Sequence, residues 1–169
     1  MTGLERSAFA ARCKDIGNRG FKASDWGYAV LAYQEGIRYL EYLPHDSEMQ
    51  PLRFDHGGAQ LNHLDKDMSL AVTLFSNLAA AFLKLQEPHE ALKYAEKALR
   101  FDAAHAKALY RRGQALLALG EYSEALVAAE ELLRKEPGNP DAASLKSAAA
   151  LGAKVATQKE KALFSKMLS

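Results

Sequence analysis

The sequence predicts an all-helical fold, on two observations. Its 169 residues include 31 Ala and 25 Leu against only 9 β-branched residues, 2 Ile, 4 Val and 3 Thr. Ala and Leu lead the helix-propensity ranking, whereas strands draw on the β-branched side chains that are scarce here. The second observation is a recurrence of small residues every 34 positions: Ala79 matches Gly113, Ala91 matches Ala125, Ala95 matches Ala129, and Ala103 matches Pro137. A period of that length marks an array of short helical units that bury their apolar faces only by stacking.

The elements follow in chain order. A first unit over about residues 8–43 carries Gly17, Phe21, Trp26, Ala29, Tyr33 and Gly36 at the offsets of the later repeats. Gly17 to Ala79 is 62 residues, one period plus 28. The excess is assigned to an insertion over about 44–67, whose Pro44, Pro51, Gly57 and Gly58 among mixed charges predict a surface loop on the side away from the groove. The second unit covers about 70–105, with a turn at Gln86-Glu87-Pro88, and the third 106–139, with a turn at Gly120-Glu121. Small residues let the paired helices approach, while Phe82, Leu92 and Leu99, or Leu116, Leu126 and Leu133, fill the space between them. Pro140 at a first helical position opens a last helix over 140–168. Its stripe of Leu145, Ala148, Ala149, Gly152, Val155, Ala156, Leu163 and Met167 predicts a cap packed along the third unit.

Composition excludes several functions. With 22 basic and 21 acidic residues the net charge is +1, so bulk attraction to nucleic acid or an anionic membrane is not the main business. The one cysteine, Cys13, precludes an intrachain disulfide or a cysteine-based zinc cluster, and its place on the first helix predicts a buried thiol. The amino terminus lacks a signal-peptide pattern, and Met68 to Leu83 is too short to span a bilayer. The expected location is cytoplasmic.

The 34-residue period and the Gly/Ala–Ala–Pro offsets resemble the tetratricopeptide repeat (TPR), over nearly the whole chain. The lengthened first unit, and a last helix ending Glu160-Lys161-Ala162-Leu163-Phe164-Ser165-Lys166-Met167, are similar to the TPR module of the large immunophilins (FK506-binding-protein and cyclophilin types) and of the TPR protein 9 group. The resemblance implies three helix-turn-helix repeats in a right-handed superhelix with a long carboxyl-terminal capping helix. No isomerase-like segment precedes Met1, which leaves a stand-alone protein and an excised module both open.

In such a stack the first helix of each unit faces a concave groove. The groove offsets give Lys14 and Asn18, then Asn77, then Lys107 and Arg111. Lys14–Asn18 and Lys107–Arg111 are i, i+4 pairs that project together. Three cations and two amides with few competing carboxylates describe an anion site, since Arg supplies a planar fork, Lys a point charge and Asn oriented donors. The five also fill the pattern of the carboxylate clamp of chaperone-binding TPR modules, Lys-x-x-x-Asn, Asn, then Lys-x-x-x-Arg. By that likeness Lys14, Asn18 and Asn77 take the terminal carboxylate of an acidic peptide ending Glu-Glu-Val-Asp. Lys107 and Arg111 take its Asp side chain. The implied partner is the tail of cytosolic heat-shock protein 90 or 70, with a client protein left open. The alternatives are a scaffold for an unrelated partner and the regulatory part of a larger protein.

Weaker signals carry less. Phe21, Leu78 and Phe82 could form an apolar pocket for the peptide's Val, although such spacings serve the repeat core more often. Arg112 is expected at solvent or on the neighbouring helix. His56 and His63 with Asp55 and Asp65 lack the spacing of a metal site. Lys154, Lys159, Lys161 and Lys166 suggest a solvated outer face on the last helix rather than a calmodulin target. No GxSxG, GxGxxG, phosphate-loop or HExxH motif occurs, so the expected protein is non-catalytic and needs no cofactor.

Overall fold

The computed structural model describes residues 3–40 and 61–168. Regular structure among them is entirely α-helical: α1 Gly3–Lys22, α2 Trp26–Tyr39, α3 Leu61–Lys84, α4 Pro88–Phe101, α5 Ala106–Leu119, α6 Tyr122–Lys135 and α7 Pro140–Leu168. Helices adjacent in sequence pack as pairs, and α1 also meets α3, α3 meets α5 and α5 meets α7. The odd-numbered helices therefore form one layer and α2, α4 and α6 the other. None of these helices is long and apolar enough to cross a membrane.

The repeat is visible in the turns. Ser24, Gln86 and Gly120 each adopt a positive φ, of 61, 61 and 83°. In each turn that residue's N–H donates three residues back at 3.2 Å, to Phe21, Leu83 and Leu117. The next N–H, of Asp25, Glu87 or Glu121, donates five residues back at 2.9 Å. Such a closure satisfies carbonyls orphaned at the helix end and needs one left-handed residue, which costs a glycine little. Starts are equally specified. Asp25 accepts from the Tyr28 N–H at 3.1 Å, Asn139 accepts from the Ala142 N–H at 3.0 Å, and Pro88 lies in the first turn of α4.

The core runs between the layers. Tyr33, Leu74 and Leu78 are fully buried in the amino-terminal part, Leu109, Leu116 and Leu132 in the carboxyl-terminal part, and Ala lines the close approaches. Cys13 is buried as expected, and its thiol pKa is raised by burial and by Glu35. Arg112 turns to the neighbouring helix, 4.0 Å from Glu96 of α4.

Two expectations need correction. The insertion over 44–67 falls outside the described residues as far as 60, but from Leu61 the chain is already in α3. Leu61, Leu64, Met68 and Ala71 carry the helical period upstream of the second repeat, and the Asp67 carboxylate accepts from the Ser7 hydroxyl of α1. The second correction concerns α7. Ala142, Leu145 and Ala149 are buried as a cap should be, yet Leu163 and Met167 are 60% and 72% exposed. Length explains it. At 29 residues α7 extends about 44 Å, whereas α5 and α6, at 14 residues each, extend about 21 Å. The apolar stripe outruns the helices that could cover it.

Candidate functional site

The five residues expected at the groove lie on α1 (Lys14, Asn18), α3 (Asn77) and α5 (Lys107, Arg111). Asn18 is the best-organised. Its Oδ1 accepts from the Tyr33 hydroxyl of α2 at 2.9 Å and from Asn77 Nδ2 of α3 at 3.2 Å. With the oxygen doubly engaged, the Asn18 amide N–H groups are left as donors for a ligand. Burial pushes the Tyr33 phenol up to about 12, so it remains a donor at physiological pH. Its ring reaches Asn18 because Gly17 has no side chain; a Cβ at residue 17 would overlap the Tyr33 ring. The Asn18–Asn77 contact joins the first and second repeats.

The third repeat contributes charge. Lys107 is exposed and, with Asn77, lines a cleft of about 280 Å³ between α3 and α5; Thr73, Ser76, His105 and Ala106 complete the lining. Arg111 lies one turn further along α5 and is half-buried. It donates to Gln114 Oε1 at 3.2 Å and stands 5.3 Å from the Tyr110 ring centroid. Burial lowers its pKa, with Tyr110 and Asp141 acting in the opposite direction, and an arginine so held remains cationic. Lys14, half-buried, precedes Asn18 by one turn of α1. Neither Lys14 nor Lys107 forms an ion pair with any described residue. The site thus combines fixed neutral donors with unneutralised cations.

Of the three apolar residues, Leu78 and Phe82 are buried and Phe21 is half-buried. Leu78 has no exposed surface, Phe82 is 7% exposed and stacks on Tyr94 at 5.4 Å, and Phe21 meets Trp26 edge-on at 4.7 Å. Leu78 and Phe82 face inward because α4 packs on that side of α3, so both belong to the core. Sequence reasoning missed Tyr33, Ser76, His105 and Gln114 as groove residues. The pairing of Gly17 with a large residue on α2 was a usable signal for Tyr33; Ser76 reads from spacing alone as one more core position.

Residues 82–149 match the family model of the tetratricopeptide repeat. That stretch carries tetratricopeptide repeats, and the fold around it is the TPR fold. The chain is similar to FK506-binding protein 59 of Drosophila melanogaster, 28% identical over 169 residues, all of this chain and 35% of that protein. The chain therefore spans about a third of that relative's length. The C-terminal TPR-containing domain of a Plasmodium falciparum FK506-binding protein has the same fold, with a TM-score of 0.77 at 24% identity, covering 94% of this chain and 97% of that one. The second TPR domain of human RPAP3, solved in complex with the HSP70 peptide SGPTIEEVD, is 28% identical with a TM-score of 0.65, over 88% of this chain and 98% of that one. Within the TPR stack, α1, α3 and α5 are the first helices of the three repeats, the ones expected to face the groove.

Proposed function

We propose that this TPR stack is a non-catalytic cytosolic adaptor that holds the acidic carboxyl terminus of heat-shock protein 90 or 70, with Lys14, Asn18, Asn77, Lys107 and Arg111 as its carboxylate clamp. One observation carries the reading: the Asn77 amide bonds Asn18 on one side and borders the Lys107 cleft on the other. Fixed neutral donors and an unpaired cation thus meet at one residue. A terminal carboxylate finds amide and ammonium donors at Lys14, Asn18 and Asn77, and the adjacent Asp side chain finds Lys107 and Arg111. Charge-assisted bonds of this kind are about twice as strong as neutral ones. The human RPAP3 domain, bound to a peptide ending Glu-Glu-Val-Asp, supports the same use of the groove here.

Calorimetric titration with a peptide ending Glu-Glu-Val-Asp tests it. Micromolar affinity is expected, on the order of −8 kcal/mol, falling as salt rises. Amidating the peptide terminus should abolish most of the binding, as should Asn77→Ala, which leaves net charge unchanged. Equal binding of the amidated peptide would end the clamp reading.

A further inference from the structure

Past the third repeat α7 changes character. It is held against α6 as far as Gly152, where the Tyr122 ring lies so close that a Cβ would overlap it, and Ala156 is still half-buried. From Thr157 to Leu168 every residue is exposed, over about 18 Å of helix. That stretch carries Leu163, Phe164, Met167 and Leu168, which are 60, 63, 72 and 88% exposed. At about 100° per residue they share an arc of about 140°, running from Leu163 through Met167 and Phe164 to Leu168. Lys159 and Lys166 lie within about 60° of one edge of the arc, Lys154 and Lys161 within about 40° of the other. Gln158, Ala162 and Ser165 occupy the opposite face. An apolar arc between two rows of lysines suits a helix lying in a lipid–water interface. The arc enters the acyl boundary and the lysine stems snorkel back to the headgroups. Charge is divided in the same way. Four lysines against Glu160 give residues 154–168 a charge of +3, so the rest of the chain carries −2 of the net +1.

We propose that the last turns of α7 are a docking site for an anionic membrane surface. Leu163, Phe164, Met167 and Leu168 enter the headgroup boundary of a bilayer containing acidic phospholipid, and the flanking lysines meet its charge. Charge complementarity selects this occupant. A second copy of the chain would set +3 against +3 across a short contact. A protein groove that takes an amphipathic helix reads anchors at i, i+3 or i+4, and i+7 over several turns. Here the arc runs only from Leu163 to Leu168, and the other exposed apolar residues of α7, Leu151 and Val155, lie on the opposite face. A lipid surface asks for no such length, because its apolar layer and negative potential extend over the whole plane. Glu160, one turn before Phe164, limits the depth of insertion, since its carboxylate stays in water. The chain as a whole lacks the charge for bulk attraction; the attraction is local to this segment. Lys14, Asn18, Asn77, Lys107 and Arg111 lie on other helices, so the site is independent of the clamp.

Vesicle co-sedimentation of the whole chain tests this, on phosphatidylcholine alone and on phosphatidylcholine with about 30% phosphatidylserine. The parent should partition onto the acidic vesicles about tenfold or more better than onto the neutral ones. Most of that advantage should vanish between about 50 and about 500 mM salt. The pair Leu163→Ser and Phe164→Ser should weaken binding to acidic vesicles about tenfold or more. The pair Lys159→Gln and Lys161→Gln should weaken it about fivefold or more, and only where phosphatidylserine is present. All four positions are exposed, so the circular dichroism of both variants and their affinity for the Glu-Glu-Val-Asp peptide should match the parent. A parent that ignores acidic vesicles at low salt overturns the proposal and returns the arc to a protein partner. Serine variants that bind like the parent overturn it too, by reducing the attraction to diffuse charge. So does a parent that sediments as a dimer and becomes monomeric with the serine pair, because a second copy would then cover the arc.

Discussion

The two walls of the groove hold their polar groups in opposite ways. On the α1–α3 side, Asn18 is held by Tyr33 and Asn77, so its orientation is settled when the protein folds. On the α5 side, Lys107 is exposed and unpaired, and Arg111 leans on Tyr110 and Gln114. A ligand orders little on the first wall. On the second it immobilises Lys107, at a side-chain entropy cost of up to about 2 kcal/mol. Charge, however, acts at a distance and neutral amides do not. The α1–α3 wall should therefore govern geometric selectivity, and the α5 wall the attraction and its salt dependence.

The sharpest way to break this contrast is Gly17→Ala. The new methyl overlaps the buried Tyr33 ring, and neither α1 nor α2 can yield without disturbing the core. Overpacking of this kind costs about 1–3 kcal/mol of stability and should release Asn18 as well. Urea unfolding and peptide titration of the same sample measure both losses. A variant with the parent's midpoint and affinity would show that the α1–α3 wall is not pre-set by Tyr33.

Arg111→Ala comes next, at about 1.5–3 kcal/mol of binding, because a partly desolvated carboxylate loses a charged partner. Lys107→Ala should cost less, about 0.5–1.5 kcal/mol, since its exposed ammonium is hydrated and must be ordered. Serving one carboxylate, the two losses should not add. Raising the salt should shrink the Lys107 effect in particular, whereas the cost of Asn77→Ala should stay nearly constant. Affinities at two ionic strengths decide this; an Asn77→Ala penalty that fades with salt would erase the distinction between the walls.

Much of this was legible in the sequence, for physical reasons that can be named. The period survives in the turns because each must close on one left-handed residue, which Gly120 announces and Gln86 and Ser24 conceal. Helical spacing picks out the five proposed groove residues, because it fixes which side chains share a face, and the structure joins Asn18 to Asn77 and sets Asn77 beside Lys107. What spacing does not encode is the partner across a helix pair, so Tyr33 beneath Asn18 emerged only with the packing. The loop expected as far as 67 gives way to α3 at Leu61, where the apolar period resumes soon after Gly57 and Gly58 in the sequence. The reach of α7 beyond α5 and α6 is not encoded in its apolar stripe, which says nothing about how long its neighbours are.

The smallest effect expected is also the most specific to the α1–α3 wall. Tyr33→Phe removes one hydroxyl from a buried ring and leaves Asn18 with a single donor, Asn77. Peptide affinity should fall by about 0.5–1.5 kcal/mol, the net worth of one hydrogen bond, with no dependence on salt. The same substitution has a pH signature. In the folded state the Tyr33 pKa is raised to about 12 from 10.0, so folding favours the neutral phenol. That contribution is fully present below the unfolded pKa and is lost as pH rises through the folded one. Between pH 10 and 12 the parent should therefore lose more stability than Tyr33→Phe, although the variant starts lower at neutral pH. Unfolding midpoints at pH 8, 10 and 11.5 measure the difference. Parallel curves for the two proteins would mean that the phenol gains nothing from its place beneath Asn18, and the α1–α3 wall would then owe its order to the Asn18–Asn77 pair alone.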